Sequence, residues 1–280
     1  MKIGIVMAVI NLWDSYTKAA LDSLKTEYEK RIVIIDNGST DNTQREAMKL
    51  VGPDFHYERH DSNWGVQKAW NFGINDCFNN HSCHYVFVCN NDTLFHLKAI
   101  DNLVNRFQKK NCYHCKPEEC SLLAMVTCNN IKSDCGDKPE NIFDMALPAY
   151  EQTEESEHPD FSAFMINRKC WSDIGEFDEG FFPAYYEDND YHRRINLAGM
   201  KAIVLPSAIY YHYGSKTQLE ATDRRLVESA HGHTYFRRKW GDNPEPDGSL
   251  TSRLWEHPFN DLTKDVKWTT QLQKCLEIKT

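Results

Sequence analysis

No stretch of the chain approaches the about 20 consecutive apolar residues that a membrane-spanning helix needs. The first apolar segment, Lys2 to Ile10, is short and passes straight into Asn11 and Trp13. It reads as a buried strand and not as an export leader, which sets the expectation of a cytoplasmic protein with no transmembrane segment. An excess of positive charge is also missing. The 32 Lys and Arg against 41 Asp and Glu leave a net charge of −9, which argues against general affinity for nucleic-acid phosphates. No G-x-G-x-x-G follows the first strand, so the turn that would hold a nicotinamide dinucleotide is absent and an oxidoreductase of that kind is disfavoured. No internal repeat is visible. Ten cysteines without an export signal point to reduced thiols and not to a disulfide framework. Cys112, Cys115, Cys120, Cys128 and Cys135 cluster near His114. Their C-x-x-C start lacks a second tight pair, so a zinc site there competes with scattered thiols.

What is present is an ordinary globular composition, 280 residues with 41% apolar and 12% aromatic side chains, enough for one large domain or a domain with an appendage. Apolar runs alternate with amphipathic stretches. Strand-like Ile3–Ile10 is followed by a helix from about Asp14, a good N-cap residue, with Leu21 and Leu24 on one face. The β-branched run Arg31–Ile35, a helix over Gln44–Leu50, a strand Phe55–Arg59, a helix from Gly65 to about Phe78, a strand Tyr85–Cys89 and a helix near Leu97–Lys109 follow. This βαβαβαβα order is the signature of a parallel sheet wrapped by helices. A strand over Leu122–Val126 comes next, and the acidic, Pro- and Ser-rich stretch from Lys132 to Asp160 reads as an exposed loop. Strand-like Phe161–Asn167, a helical turn at Arg168–Ile174, a helix Asp188–Leu197 ended by Gly199, two short strands Ala202–Val204 and Ala208–Tyr213, and a helix Gln218–Trp240 complete the pattern. The domain is expected to span 1–240, with 241–280 an extension packed on it.

Strand ends in an open α/β sheet open into one crevice, so polar groups that close apolar runs are the candidates for chemistry. Asp36, ending Ile34-Ile35, can accept hydrogen bonds from a ribose or base, or can belong to a helix-capping turn with Ser39, Thr40 and Asp41. Asn63, Lys68 and Asn71 open the next helix, with Lys68 and Asn71 on one face. Lys68 can neutralise a diphosphate or can be a solvated surface lysine. Asn90-Asn91-Asp92 closes the very apolar Val86-Phe87-Val88, a costly place for polar groups unless a ligand or the surface receives them. A divalent ion held by Asp92, diphosphate oxygens and a second protein group would do so, and His212, ending Ile209-Tyr210-Tyr211, is best placed for that second group, although an isolated histidine is more often a satisfied structural residue. The imidazole leans the choice to Mn²⁺ over Mg²⁺. Glu187, Asp188 and Asp190 start a helix, where the helix dipole alone favours acids. Preceded by the aromatic run Phe181, Phe182, Pro183, Tyr185 and Tyr186, one of them can serve as a general base while others, with Tyr186, bind acceptor hydroxyls.

Taken in order, these segments resemble glycosyltransferase family 2, the inverting GT-A enzymes, in the amide-rich form of its rhamnosyltransferase-like members. The likeness runs over roughly residues 1–240. Asp36-Asn37-Gly38-Ser39-Thr40-Asp41 stands in the place of the uridine-binding acidic turn, Asn63-Trp64-Gly65 with Asn71 in that of the Asn-x-Gly helix start, and Asn90-Asn91-Asp92 in that of the DxD motif. Glu187-Asp188-Asn189-Asp190 is similar to the ED motif, His212-Tyr213-Gly214-Ser215 to the late metal-binding histidine, and Lys239-Trp240-Gly241 to a common ending. The resemblance implies a GT-A, nucleotide-diphospho-sugar transferase fold, with a mostly parallel central sheet flanked by helices and a small C-terminal helical extension. It implies Asp188 as catalytic base, Asp92 and His212 as ligands of Mn²⁺ or Mg²⁺, and Asp36, Asn63, Lys68, Asn71, Asn90 and Asn91 on the donor. The reaction expected is inverting transfer of a hexose or deoxyhexose from a UDP- or dTDP-linked donor to a glycan or glycoconjugate hydroxyl. Asn90 in the first DxD position departs from the pattern. The alternatives are a sugar nucleotidyltransferase, disfavoured because Ala8–Trp13 is not a Gly-rich basic loop, and a non-catalytic glycan-binding module.

Overall fold

The computed structural model describes residues 1–108, 122–131, 142–144, 147, 159–214, 216 and 225–241. Its strands are β1 (Lys2–Val9), β2 (Glu29–Asp36), β3 (Phe55–Arg59), β4 (Tyr85–Cys89), β5 (Thr93–Phe95), β6 (Leu123–Asn130), β7 (Ala163–Asn167) and β8 (Lys201–His212). The helices are α1 (Lys18–Ser23), α2 (Thr43–Met48), α3 (Gly65–Asn75), α4 (Ala99–Gln108), α5 (Arg168–Ile174), α6 (Glu187–Leu197) and α7 (Arg225–Trp240). The strands form one sheet in the order β3-β2-β1-β4-β7-β6-β8-β5. Parallel pairing joins β3, β2, β1 and β4, and again β6 with β8. β7 runs antiparallel to both β4 and β6, and β5 runs antiparallel to β8.

The central strands are apolar on both faces, as strands covered by helices on two sides must be. Ile3, Ile5, Met7 and Val9 of β1, Ile34 of β2 and Phe87 of β4 pack with Ala20 and Leu24 near α1 and with Ala99, Ile100, Leu103 and Val104 of α4. Val6, Val33, Ile35, Val86 and Val88 point the other way, to Ala69, Trp70 and Ile74 of α3, Trp171 of α5 and Tyr191 and Ile195 of α6. Alternation of period two thus divides each strand between two helical layers. At α5, the Asn167 side chain accepts from Cys170 N (2.7 Å) and Gly175 at φ 82 stops the helix.

Several expectations need correction. The first helical turns begin at Trp13 with Leu12 (φ 64) as the residue before them, and Asp14 does not cap them but accepts from Asn42 Nδ2 at 2.7 Å. The two strands around Pro206 are one strand, β8. Its pairing with β6 skips from Leu205 to Ile209, and the bulge takes up the proline that cannot donate to a ladder. β5 was not foreseen. The stretch 132–160 is not wholly exposed: Ile142 is buried, and Asp160 is half-buried. Residues 132–141, 145–146 and 148–158 of that stretch, the helix start at 218–224 and the extension beyond Gly241 lie outside the described residues. So do Cys112, His114, Cys115, Cys120 and Cys135, whereas Cys128 is a buried free thiol of β6, raised by burial. Among the described residues no helix is long and apolar enough to cross a membrane.

Candidate active site

A pocket opens where β1, β2 and β4 end, floored by Ala8 and Val9 with Ile10 and walled by Asn37, Asn63, Asn90, Asn91 and Asp92. Because β7 is antiparallel to β4, its start and not its end lies at this edge. The Asn90 N–H donates to Ser162 O (2.9 Å), and Asp160 and Ser162 thereby join the wall. Antiparallel β5 brings in the other side: Thr93 pairs with His212, so Asp92, one residue before, meets the last residue of β8. His212 Nε2 lies 3.1 Å from Asp92 Oδ1. Asp92 Oδ2 accepts from Lys216 N (3.0 Å). Burial would raise the Asp92 carboxyl, but the hydrogen bond and charge of His212 and the Lys216 N–H outweigh it and hold the group below its ordinary range.

Pro183, Ala184 and Tyr185, followed by Glu187 and Asp188 at the start of α6, also line the pocket. Tyr185 (φ 77) and Tyr186 (φ 71) are consecutive non-glycine residues in the left-handed region, a strained arrangement that surrounding packing must hold. Asp188 Oδ1 accepts from Asn189 N (2.8 Å). Burial, with the charge of Asp160 adding to it, pushes the Asp188 carboxyl up to about 6 against the lowering pull of the Asn189 N–H. Glu187 is also raised, by burial and then by the charge of Asp188, although Gln67 Nε2 donates to it at 3.1 Å.

The structure therefore brings Asn63, Asn90, Asn91, Asp92, Glu187, Asp188 and His212 to one pocket and leaves other predicted residues outside it. Asp36 is buried behind the pocket, where it accepts from Ser39 N (2.8 Å) and the Tyr57 hydroxyl. Its neighbour Asn37 faces the pocket instead, tied to β1 by its N–H to Val9 O (2.8 Å) and accepting from Trp64 N (3.3 Å). Lys68 places its ammonium 4.2 Å from the Trp64 ring centroid. Asn71 is buried with its amide spent on the Phe177 backbone, Nδ2 to O at 2.9 Å and Oδ1 from N at 2.8 Å. Asp190 is also committed: it pairs with Arg194 Nε (2.9 Å) and Lys239 Nζ (2.7 Å) and accepts from Trp240 Nε1 (2.9 Å). Tyr186 packs its ring 5.4 Å from that of His233. Of the expected aromatic wall, Pro183 and Tyr185 face the pocket, while Phe181 is fully buried against Tyr235.

Asn37, Asp160 and Ser162 escaped the sequence reading. Asp160 carried a usable signal, a carboxylate directly before an apolar strand, the mirror image of Asp92 after one. It accepts from Ser162 N (2.9 Å) and from the Tyr210 hydroxyl (2.5 Å).

For a cation, the donor set fits in part. A separation of 3.1 Å between Asp92 Oδ1 and His212 Nε2 matches that of adjacent ligands around a six-coordinate ion with bonds of about 2.1 Å. Among the described residues no group of three His, Cys, Asp or Glu side chains forms a metal cluster, so the other positions would fall to water or to ligand oxygens.

The sequence profile of glycosyl transferase family 2 matches residues 5–120. No curated protein sequence matches the chain. The fold is shared with solved structures. The mannosyltransferase PcManGT from Pyrobaculum calidifontis, in complex with GDP-Man and Mn²⁺, aligns with a TM-score of 0.58 at 15% identity over 97% of this chain and 83% of that one. S. aureus TarS 1–349 aligns at 0.54 and 16% identity over 86% and 74%. GalNAc-T7, with UDP, GalNAc and Mn²⁺, aligns at 0.56 and 16% identity over 76% of this chain but only 44% of its own. Identities this low speak to the fold alone. Over residues 5–120 the chain thus carries the signature of glycosyl transferase family 2, on a fold that is the GT-A fold of glycosyltransferases.

Proposed function

We propose that the protein is an inverting, metal-assisted glycosyltransferase that moves a hexose or deoxyhexose from a UDP- or dTDP-linked donor to a hydroxyl of a glycan or glycoconjugate. The observation that carries this reading is the convergence on one pocket of the Asp92–His212 pair and Asp188. Asp92, Asp160 and Asp188 line that pocket, beside a Glu187 that burial pushes toward its neutral form, and no Lys or Arg does so among the described residues. A diphosphate entering such a field is repelled unless a cation comes with it. Mn²⁺ or Mg²⁺ on Asp92 and His212 would supply that charge and stabilise the leaving diphosphate, a contribution of several kcal/mol.

The remaining work falls to side chains. Asp188, raised by burial, accepts the proton of the acceptor hydroxyl as that oxygen forms its bond to the anomeric carbon. The bond from that carbon to the diphosphate oxygen breaks, and its electron pair leaves with the nucleotide. Attack from the face opposite the leaving group inverts the configuration. Asn37 and Asn63 stand on the side of the pocket next to the α3 N-terminus, where their amides can bind the nucleoside. The neighbours that contain UDP, UDP-GlcNAc or GDP-Man support a nucleotide-sugar donor. The test is a panel of nucleotide sugars assayed with Mn²⁺ for release of nucleoside diphosphate, with and without glycan acceptors. Release from a UDP- or dTDP-sugar, lost on chelation, is the expected result. No release from any donor rejects the proposal.

A further inference from the structure

Helix α7 carries a glycine in its interior, Gly232, where an alanine would ordinarily be preferred by about 1 kcal/mol. Its position explains it. A Cβ there would lie 2.3 Å from Tyr185 O, so the helix backbone rests directly on the strained pair Tyr185–Tyr186. Residues 232, 235, 236, 239 and 240 follow the spacing of one helix face. That face runs along the segment from Asp178 to Asp190, which contains both the pocket wall and Asp188. Tyr235 and Phe236 pack on Phe181, with ring centroids 4.8 and 6.5 Å away. At the helix end, Lys239 Nζ bridges Asp178 Oδ2 (2.6 Å) and Asp190 Oδ1 (2.7 Å), the two ends of the segment. Trp240 Nε1 donates to the same Asp190 oxygen at 2.9 Å, and the Arg193 guanidinium lies 4.8 Å from the Trp240 ring centroid.

We infer that α7 is a strap that holds Asp188 in register with the reacting centre, with Lys239 and Gly232 as positioning residues, neither of them touching substrate. The inference rests on the assignment of Asp188 as general base. Two left-handed residues immediately before α6 store strain that would relax by rotating the first turn of that helix. Lys239 prevents this by tying Asp190, two residues after Asp188, to Asp178. Gly232 prevents it by giving the Tyr185 carbonyl no room to move outward. Lys239 therefore acts on transfer and not on nucleotide binding, because its ion pairs go to Asp178 and Asp190, whereas Asn37, Asn63 and the Asp92–His212 pair stand at strand ends and just before α3.

The test compares Lys239→Met, Lys239→Arg, Gly232→Ala and Asp188→Asn in the full chain, with circular dichroism to verify folding. A displacement of about 1 Å at a reacting group costs up to about 10²-fold. Lys239→Met and Gly232→Ala should thus lose roughly 10- to 100-fold in kcat, while donor KM and nucleotide Kd stay within about twofold, and Lys239→Arg should recover most of the loss by restoring the bridge. If Lys239→Met does not fold, Gly232→Ala and Lys239→Arg decide on the same criterion. A folded Lys239→Met or Gly232→Ala with parental kcat, beside an inactive Asp188→Asn, overturns the strap alone. Full activity in Asp188→Asn overturns the base assignment and the strap with it.

Discussion

The Asp188→Asn substitution separates catalysis from stability, because the same burial that would suit Asp188 to the proposed role of base also costs the fold. With its carboxyl at about 6 in place of the ordinary 3.8, only about a tenth of the protein carries the ionised base at pH 5, against more than nine-tenths for an unperturbed aspartate. The kcat/KM profile should therefore fall about tenfold from its plateau by pH 5, and the limb should vanish in the residual activity of Asp188→Asn, itself down by about 10² to 10⁴. The sign for stability runs the other way. A carboxyl that holds its proton more tightly folded than unfolded favours the fold at low pH, and that contribution is lost as pH rises from about 4 through about 6. Two units correspond to at most about 3 kcal/mol, reduced because Asp188 is only partly shielded at the pocket wall. The asparagine keeps an oxygen for the Asn189 N–H and carries no charge. The variant should consequently be more stable than the parent by up to that amount at pH 8 and equal to it near pH 4, measured by urea unfolding. An acid limb near pH 4, or a variant less stable at pH 8, would refute the reasoning.

Three further outcomes follow from the geometry. Chelation should abolish turnover and Mn²⁺ restore it, with His212→Ala raising the half-activating metal concentration at least about tenfold; an unchanged metal titration removes His212 from the site. Gly65→Ala should lower stability by about 2 kcal/mol or more, because Gly65 sits at φ 80 and a Cβ there meets Gln67 Oε1 at 2.9 Å and Pro183 O at 3.1 Å; denaturant unfolding reads the loss. Asn71→Ala leaves the buried Phe177 N–H and C=O unpaired and should cost about 2–4 kcal/mol with donor KM unchanged, the reverse of what a donor ligand would show.

Much of the architecture was legible because burial leaves periodic traces. Ile3–Val9, Arg31–Ile35 and Tyr85–Cys89 are buried on both faces and read as apolar runs, and the alternation with amphipathic stretches sufficed to expect a wrapped parallel sheet. Asp92, Asp188 and His212 were legible for a related reason: a charged group at the end of an apolar run has few destinations other than a surface or a ligand. The same logic over-reached at Asn71 and Asp190. A buried polar side chain that serves a backbone or a lysine looks, in one dimension, like one that serves a substrate.

Local pattern determines which residues are buried and which elements they form, since that depends on neighbours within a few positions. The direction in which a distant strand returns is decided only by the assembled sheet. The antiparallel entry of β7 carried Asp160 from an apparent surface loop to the pocket wall, and antiparallel β5 set Asp92 against His212, 120 residues away. Neither pairing has a signature in the segments themselves, because strand order and register are set by which arrangement buries both faces of the sheet at once.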